Sequence, residues 1–173
     1  MPDPPPARAS RRRDTSRVLL LDPFDRLLLL KISDPDHLVR EPGRPAPPDT
    51  YWITVGGGLE GDETFEAAAR REVFEEVGIT DARLGPVLWD RTFDVLLNDA
   101  PIHGIERYFV GWTSTVEISF GNVTEQERTQ FVEHRWWTYA ELADERRTDV
   151  AFPDQLVDLL QQALILGRPT EDA

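Results

Sequence analysis

The chain has 173 residues, no cysteine, 14 prolines and a formal net charge of −13. That length suits one domain with a substantial core, and the lack of cysteine excludes disulfides, thiolate metal sites and a cysteine nucleophile. The acidic balance argues against non-specific attachment to nucleic acid as the main purpose, although a cation bridging carboxylates to phosphates still allows a nucleotide to bind.

Residues 1–16 are proline-rich and then basic, without apolar periodicity, and read as a disordered arm ahead of a single domain over 17–173. A basic phosphate-binding arm is the functional alternative. Ser10-Arg11-Arg12-Arg13 invites comparison with a twin-arginine export signal. The apolar run that follows, Val18 to Leu21, is broken by Asp22, Pro23 and Asp25 and is too short for one. No stretch reaches the ~20 apolar residues that span a bilayer, so a cytoplasmic protein without a membrane partner is expected.

From Arg17 to Lys31 two apolar runs flank Asp22-Pro23-Phe24-Asp25, which predicts a hairpin whose strands are covered on both faces. Residues 34–50 contain Pro35, Pro42, Pro45, Pro47 and Pro48 and read as a loop, either a cover for a bound ligand or a variable surface excursion. Tyr51 to Val55 is a short strand entering Gly56-Gly57-Gly58. A helix is expected from about Glu63 to Val77, with Ala69, Val73 and Val77 forming a core stripe and Gly78 a left-handed stop. Strands are expected at 85–92, 105–115 and 135–138, with a loop over 98–104 carrying His103. A short helix begins at Ala140, and a last one opens at Pro153-Asp154 and runs to about Leu166.

The segment from Gly57 to Ile79 carries the chemistry. At about 100° per residue, Glu75 and Glu76 lie about 60° and 40° to either side of Glu72, so the three carboxylates share a helix face. Such a cluster raises its own pKa values unless a cation relieves it, and the segment contains no lysine. Oxygen-only ligands favour a hard divalent ion, Mg²⁺ or Mn²⁺, over zinc.

The same segment resembles the signature of the Nudix hydrolases, G-x5-E-x7-R-E-U-x-E-E-x-G-U, with U a bulky aliphatic residue. Gly57, Glu63, Arg71, Glu72, Val73, Glu75, Glu76, Gly78 and Ile79 fill every defined position. The resemblance implies an α/β/α sandwich with a mixed β-sheet between helices, and a metal-dependent pyrophosphohydrolase. It implies Glu72, Glu75, Glu76 and the Gly57 carbonyl as metal ligands, and Glu63 paired with Arg71 to order the cluster. The catalytic base would be Glu76 or a downstream glutamate, with Glu127 favoured over Glu125. Val55 and Asp62 depart from the commonest form of the loop, outside the defining positions.

The substrate implied is a nucleoside diphosphate linked to another moiety. Trp52, Trp89, Phe93 and Trp112 are candidates to stack a base, and Arg91 and Arg107 to meet phosphate or ribose. Asp94, Val95 and Leu96 occupy the window where ADP-ribose and dinucleoside polyphosphate subgroups carry their markers, and neither marker is there. An isomerase on the same fold is disfavoured because that chemistry uses a cysteine. A nucleotide sensor without catalysis is the alternative, although sensors usually show an eroded box. Family members are commonly homodimers, so a second copy of the chain is a possible partner.

Overall fold

The computed structural model describes residues 10–121 and 125–169, without the side chains of 125–127. Its elements in chain order are β1 (Arg11–Arg12), β2 (Thr15–Leu21), β3 (Leu27–Ser33), β4 (Val39–Arg40), β5 (Thr50–Ile53), β6 (Val55–Gly58), α1 (Phe65–Val77), β7 (Arg83–Leu97) and β8 (Ala100–Trp112). There follow α2 (Glu125–Gln130), β9 (Phe131–Trp137), α3 (Tyr139–Leu142), β10 (Ala151–Phe152) and α4 (Leu156–Leu166).

The continuous apolar runs of β2 and β3 divide by parity. Val18, Leu20, Leu28 and Leu30 join Ala69, Val73 and Val77 of α1 in one core. Leu19, Leu21, Leu27 and Leu29 join Leu156, Leu159, Leu160 and Ala163 of α4 in the other. Successive strand side chains point to opposite faces, so a run with no polar alternation is what a sheet covered on both faces requires. The result is the expected α/β/α sandwich around a mixed sheet.

The predicted hairpin forms but does not stay together. Among the described residues β2 and β3 pair at Leu21 and Leu27. Beyond that point the segment 50–58 wedges between them, β5 pairing with β3 and β6 with β2. The expected single strand through Val55 is broken at buried Thr54 to make this possible. The other edge of β2 runs parallel to β8 over its whole length.

Three further expectations are corrected. Four residues assigned to the arm lie in the sheet: Arg11 and Arg12 form β1, which pairs with Ile102 and His103 of β8, and Thr15 and Ser16 are buried in β2. The backbone of β8 offers free hydrogen-bonding groups beyond the end of β2, and β1 takes them up in the same register. Residues 1–9 are outside the described chain. The 34–50 loop contributes β4, which pairs with Leu96 and Leu97. The loop over 98–104 shrinks to Asn98 and Asp99, both at positive φ (50° and 61°), which is the two-residue turn that suits the twist of a hairpin. His103 therefore sits on β8, where Nδ1 lies 2.8 Å from Ser10 Oγ.

Helix α1 begins later than expected. Thr64 is its N-cap and accepts from the Ala67 amide, which leaves Glu63 just outside the helix, and Gly78 at φ 69° ends it as predicted.

Candidate active site

The Gly56–Gly58 strand and helix α1 are pressed together by carboxylates. Glu72 and Glu76 are each 7 % exposed, on the side of α1 that meets β6. The amide of Gly56 donates to Glu76 Oε2 at 2.8 Å. A Cβ on Gly57 would fall 2.3 Å from Glu72 Oε1, so the glycine is what lets this carboxylate approach the backbone.

Arg71 organises the rest. Its Nε donates to Glu63 Oε1 (2.9 Å), Nη1 to Glu72 Oε1 and Glu75 Oε2 (both 2.9 Å), and Nη2 to Glu63 Oε2 (3.0 Å) and the Gly58 carbonyl (2.9 Å). One planar guanidinium thus binds three carboxylates and the glycine strand, which a lysine could not do. The hydrogen bond from Arg71 holds Glu63 below the usual carboxylate range. Burial pushes Glu72 up, against the pull of Arg71.

The donor set fits a hard cation. Glu72, Glu75, Glu76 and the Gly57 carbonyl offer oxygen only. No hydrogen bond among the described residues uses Glu72 Oε2 or Glu75 Oε1. No three acidic or histidine side chains among the described residues already converge as a cage, so holding an ion here would require the carboxylates to turn from Arg71. Glu127 lies in α2, and its side chain is outside the described residues.

Beside the cluster is a cavity of about 690 Å³. The proline-rich loop forms one wall through Arg44 to Pro48, and Tyr51, Trp89 and Tyr108 form others. Arg44 reaches across to Asp154 and ties this loop to the segment before α4. Thus the loop does border a site where a ligand of nucleotide size has room.

At the cavity floor Glu106, 5 % exposed, accepts from Arg17 Nε (3.0 Å), Arg91 Nε (2.6 Å) and the Tyr108 hydroxyl (2.9 Å). Burial alone would raise the pKa of Glu106, but the two guanidinium ions outweigh it and keep the carboxylate ionised. Arg17 Nη1 also donates to the Gly56 carbonyl at 2.7 Å, so one hydrogen bond joins the floor to the strand that enters the box.

The substrate candidates separate. Arg91 and Trp89 line the cavity, whereas Trp52, Phe93 and Arg107 do not. Trp52 is buried edge-on against Trp137, with its indole N–H donating to Asp149. Trp112 is likewise core. Phe93 packs by Gly104, and Arg107 makes a bidentate pair with Asp90 and lies over the Phe65 ring. Sequence reasoning missed Arg17, Glu106 and Tyr108. The signal was available for Glu106: strand alternation puts it on the face of Tyr108 and Val110, where a lone carboxylate demands a cation.

Fold and box together define the class that the signature implied. A family model for the NUDIX domain matches residues 11–160, and the chain belongs to the Nudix hydrolase family. A prenyl-diphosphate phosphatase of Methanosarcina mazei is 40 % identical over 65 residues, 38 % of this chain and 33 % of that protein, so only a third of that relative's length is matched. Among solved structures, the MutT protein from Methanosarcina mazei Go1 is similar with a TM-score of 0.60 at 18 % identity, covering 92 % of this chain and 98 % of that one. An Ap4A hydrolase of C. elegans, solved as a binary complex, gives 0.60 at 16 % identity, covering 90 % and 99 %. These two likenesses show the fold. No helix among the described residues is long and apolar enough to cross a membrane.

Proposed function

We propose that the chain is a metal-dependent pyrophosphohydrolase acting on a nucleoside diphosphate linked to another moiety. Water attacks one phosphorus, the phosphoanhydride bond breaks, and two phosphate-bearing products leave. The observation that carries this reading is the carboxylate cluster ordered by Arg71 against a side-chain-free glycine strand, one hydrogen bond from a cavity with aromatic and basic walls.

Glu72, Glu75, Glu76 and the Gly57 carbonyl would hold Mg²⁺ or Mn²⁺, which when bound neutralises developing charge and lowers the pKa of the attacking water. Glu63 and Arg71 keep the ligands oriented. Glu76 or Glu127 takes the proton from water. Trp89 offers a ring for a base and Arg91 a guanidinium for phosphate or ribose, its geometry fixed by Glu106. The match to a prenyl-diphosphate phosphatase favours a second reading of the organic moiety as an apolar chain against the proline wall.

The test is product release from a panel of ADP-ribose, NADH, dinucleoside polyphosphates, nucleotide sugars, nucleoside triphosphates and prenyl diphosphates, with Mg²⁺ or Mn²⁺. The native chain is compared with Glu76→Gln. Metal-dependent cleavage of one member, reduced about 10²–10⁴-fold by the substitution, is the expected result. Tight binding without cleavage of any member would move the assignment to a nucleotide sensor.

A further inference from the structure

The basic motif Ser10-Arg11-Arg12-Arg13 has no place in the reaction as described so far, yet the fold delivers it to the glycine strand. Arg11 lies opposite Ile102, Arg12 opposite His103 and Thr15 opposite Glu106, so β1 and β2 follow one register along β8 with an interruption at Arg13 and Asp14. The interruption is anchored from both sides. The Arg13 amide donates to the His103 carbonyl at 2.9 Å, Asp14 Oδ1 accepts from the Ile105 amide at 3.0 Å, and the Asp14 carbonyl accepts from the Leu59 amide at 3.0 Å.

These contacts place the Arg13 side chain on Gly58. A Cβ on Gly58 would lie 2.8 Å from Arg13 Nε and 3.1 Å from Nη2. Two arginines from one short segment therefore reach one glycine strand, Arg17 at the Gly56 carbonyl and Arg13 over Gly58. Their charges are in different states. Arg17 is neutralised by Glu106, Arg12 by Asp14, and Arg71 by Glu63, Glu72 and Glu75. Arg13 has no carboxylate or carbonyl partner among the described residues.

We infer that Arg13 is a phosphate-binding residue of this site, holding the substrate diphosphate where it passes the glycine strand between the carboxylate cluster and the cavity. The inference rests on the proposed diphosphate chemistry but adds a residue from outside the signature. The physical logic is charge balance. A diphosphate approaching Glu63, Glu72, Glu75 and Glu76 is repelled by all four, and Arg71 is already committed to three of them. An exposed, unpaired guanidinium lying over Gly58, whose carbonyl Arg71 binds, offers a two-pronged donor to phosphate oxygens. Gly58 must lack a side chain for the guanidinium to lie there.

The test compares Arg13→Ala and Arg13→Lys with Arg83→Ala. Arg83 is an exposed residue at the end of the sheet where β7 meets Trp112, and its substitution removes the same charge far from the site. Calorimetric affinity for inorganic pyrophosphate with Mg²⁺ or Mn²⁺ is measured alongside KM and kcat on whichever panel member is cleaved. Arg13→Ala should weaken pyrophosphate binding and raise KM roughly tenfold or more, with kcat far less affected; Arg13→Lys should fall between, and Arg83→Ala should behave as the native chain. Unchanged affinity and KM in Arg13→Ala, or an equal loss in Arg83→Ala, would overturn the role of Arg13 while leaving a native hydrolase intact. If the native chain cleaves nothing but Arg13→Ala still loses pyrophosphate affinity, the hydrolase reading falls and the Arg13 site stands. A native chain that binds no pyrophosphate removes both.

Discussion

The amide of Gly56 donates to Glu76 Oε2 at 2.8 Å, joining the strand before the signature loop to the last turn of its helix. The same glycine has φ 140°, and a Cβ there would fall 2.1 Å from the Ser16 carbonyl oxygen. Loop, helix and central strand thus meet at one residue that must be glycine.

Gly56→Ala is accordingly expected to act on stability, and Gly57→Ala on activity. The first forces backbone apart and should cost at least about 2 kcal/mol, a fall in Tm of roughly 5 °C or more. The second meets the Glu72 carboxylate first, at 2.3 Å. Turning that group aside should lower kcat/KM about a hundredfold with a smaller change in Tm. Thermal denaturation and steady-state kinetics on both variants separate the two effects.

Removing Glu106 leaves Arg17 and Arg91 facing one another without their shared carboxylate. Breaking a buried ionic network by deleting one partner costs about 3–5 kcal/mol, so Glu106→Ala should shift the urea midpoint strongly. Glu106→Gln, which keeps the shape and part of the hydrogen bonding, should lose less. A Glu106→Ala variant as stable as the native chain would show that the network is not a structural element.

Asp81 supplies a pH test. Burial pushes its carboxyl up, but donors from Ser114 and Thr113 outweigh this and hold it at about 2, below the ordinary 3.8. A carboxylate depressed in the folded state stabilises above the unfolded pKa, and that contribution disappears as pH falls through the folded one. Asp81→Ala should therefore lower Tm at pH 7, and its difference from the native chain should shrink between about pH 4 and pH 2. A difference that stays constant across that window would count against the assignment.

Trp52 and Arg91 were equal candidates for substrate contact in the sequence, and the structure assigns them different consequences. Trp52→Ala opens a hole beside Trp137 and should cost about 3–5 kcal/mol. At a temperature where the variant is folded, its KM should stay near the native value. Arg91→Ala should instead raise KM, because its guanidinium borders the cavity.

The sequence by itself determined whatever is local or periodic. The box spacing put Glu72, Glu75 and Glu76 within two turns, and Ala69, Val73 and Val77 on the core stripe. Gly78 stopped the helix, and the two unbroken apolar runs, Val18 to Leu21 and Leu27 to Leu30, called for a sheet covered on both faces. Composition excluded cysteine chemistry outright. What only the tertiary structure decided depends on residues far apart in the chain. Nothing local predicts that 50–58 parts β2 from β3, since strand pairing is a contest among all available edges. Nor does propensity reveal that Arg17, Arg91 and Glu106 meet, that Trp52 is core while Trp89 borders a cavity, or that Arg11 and Arg12 extend the edge of β2. Those outcomes follow from register along β8, which brings residue 13 beside residue 103 and so sets an arginine from the basic segment against a glycine of the signature strand.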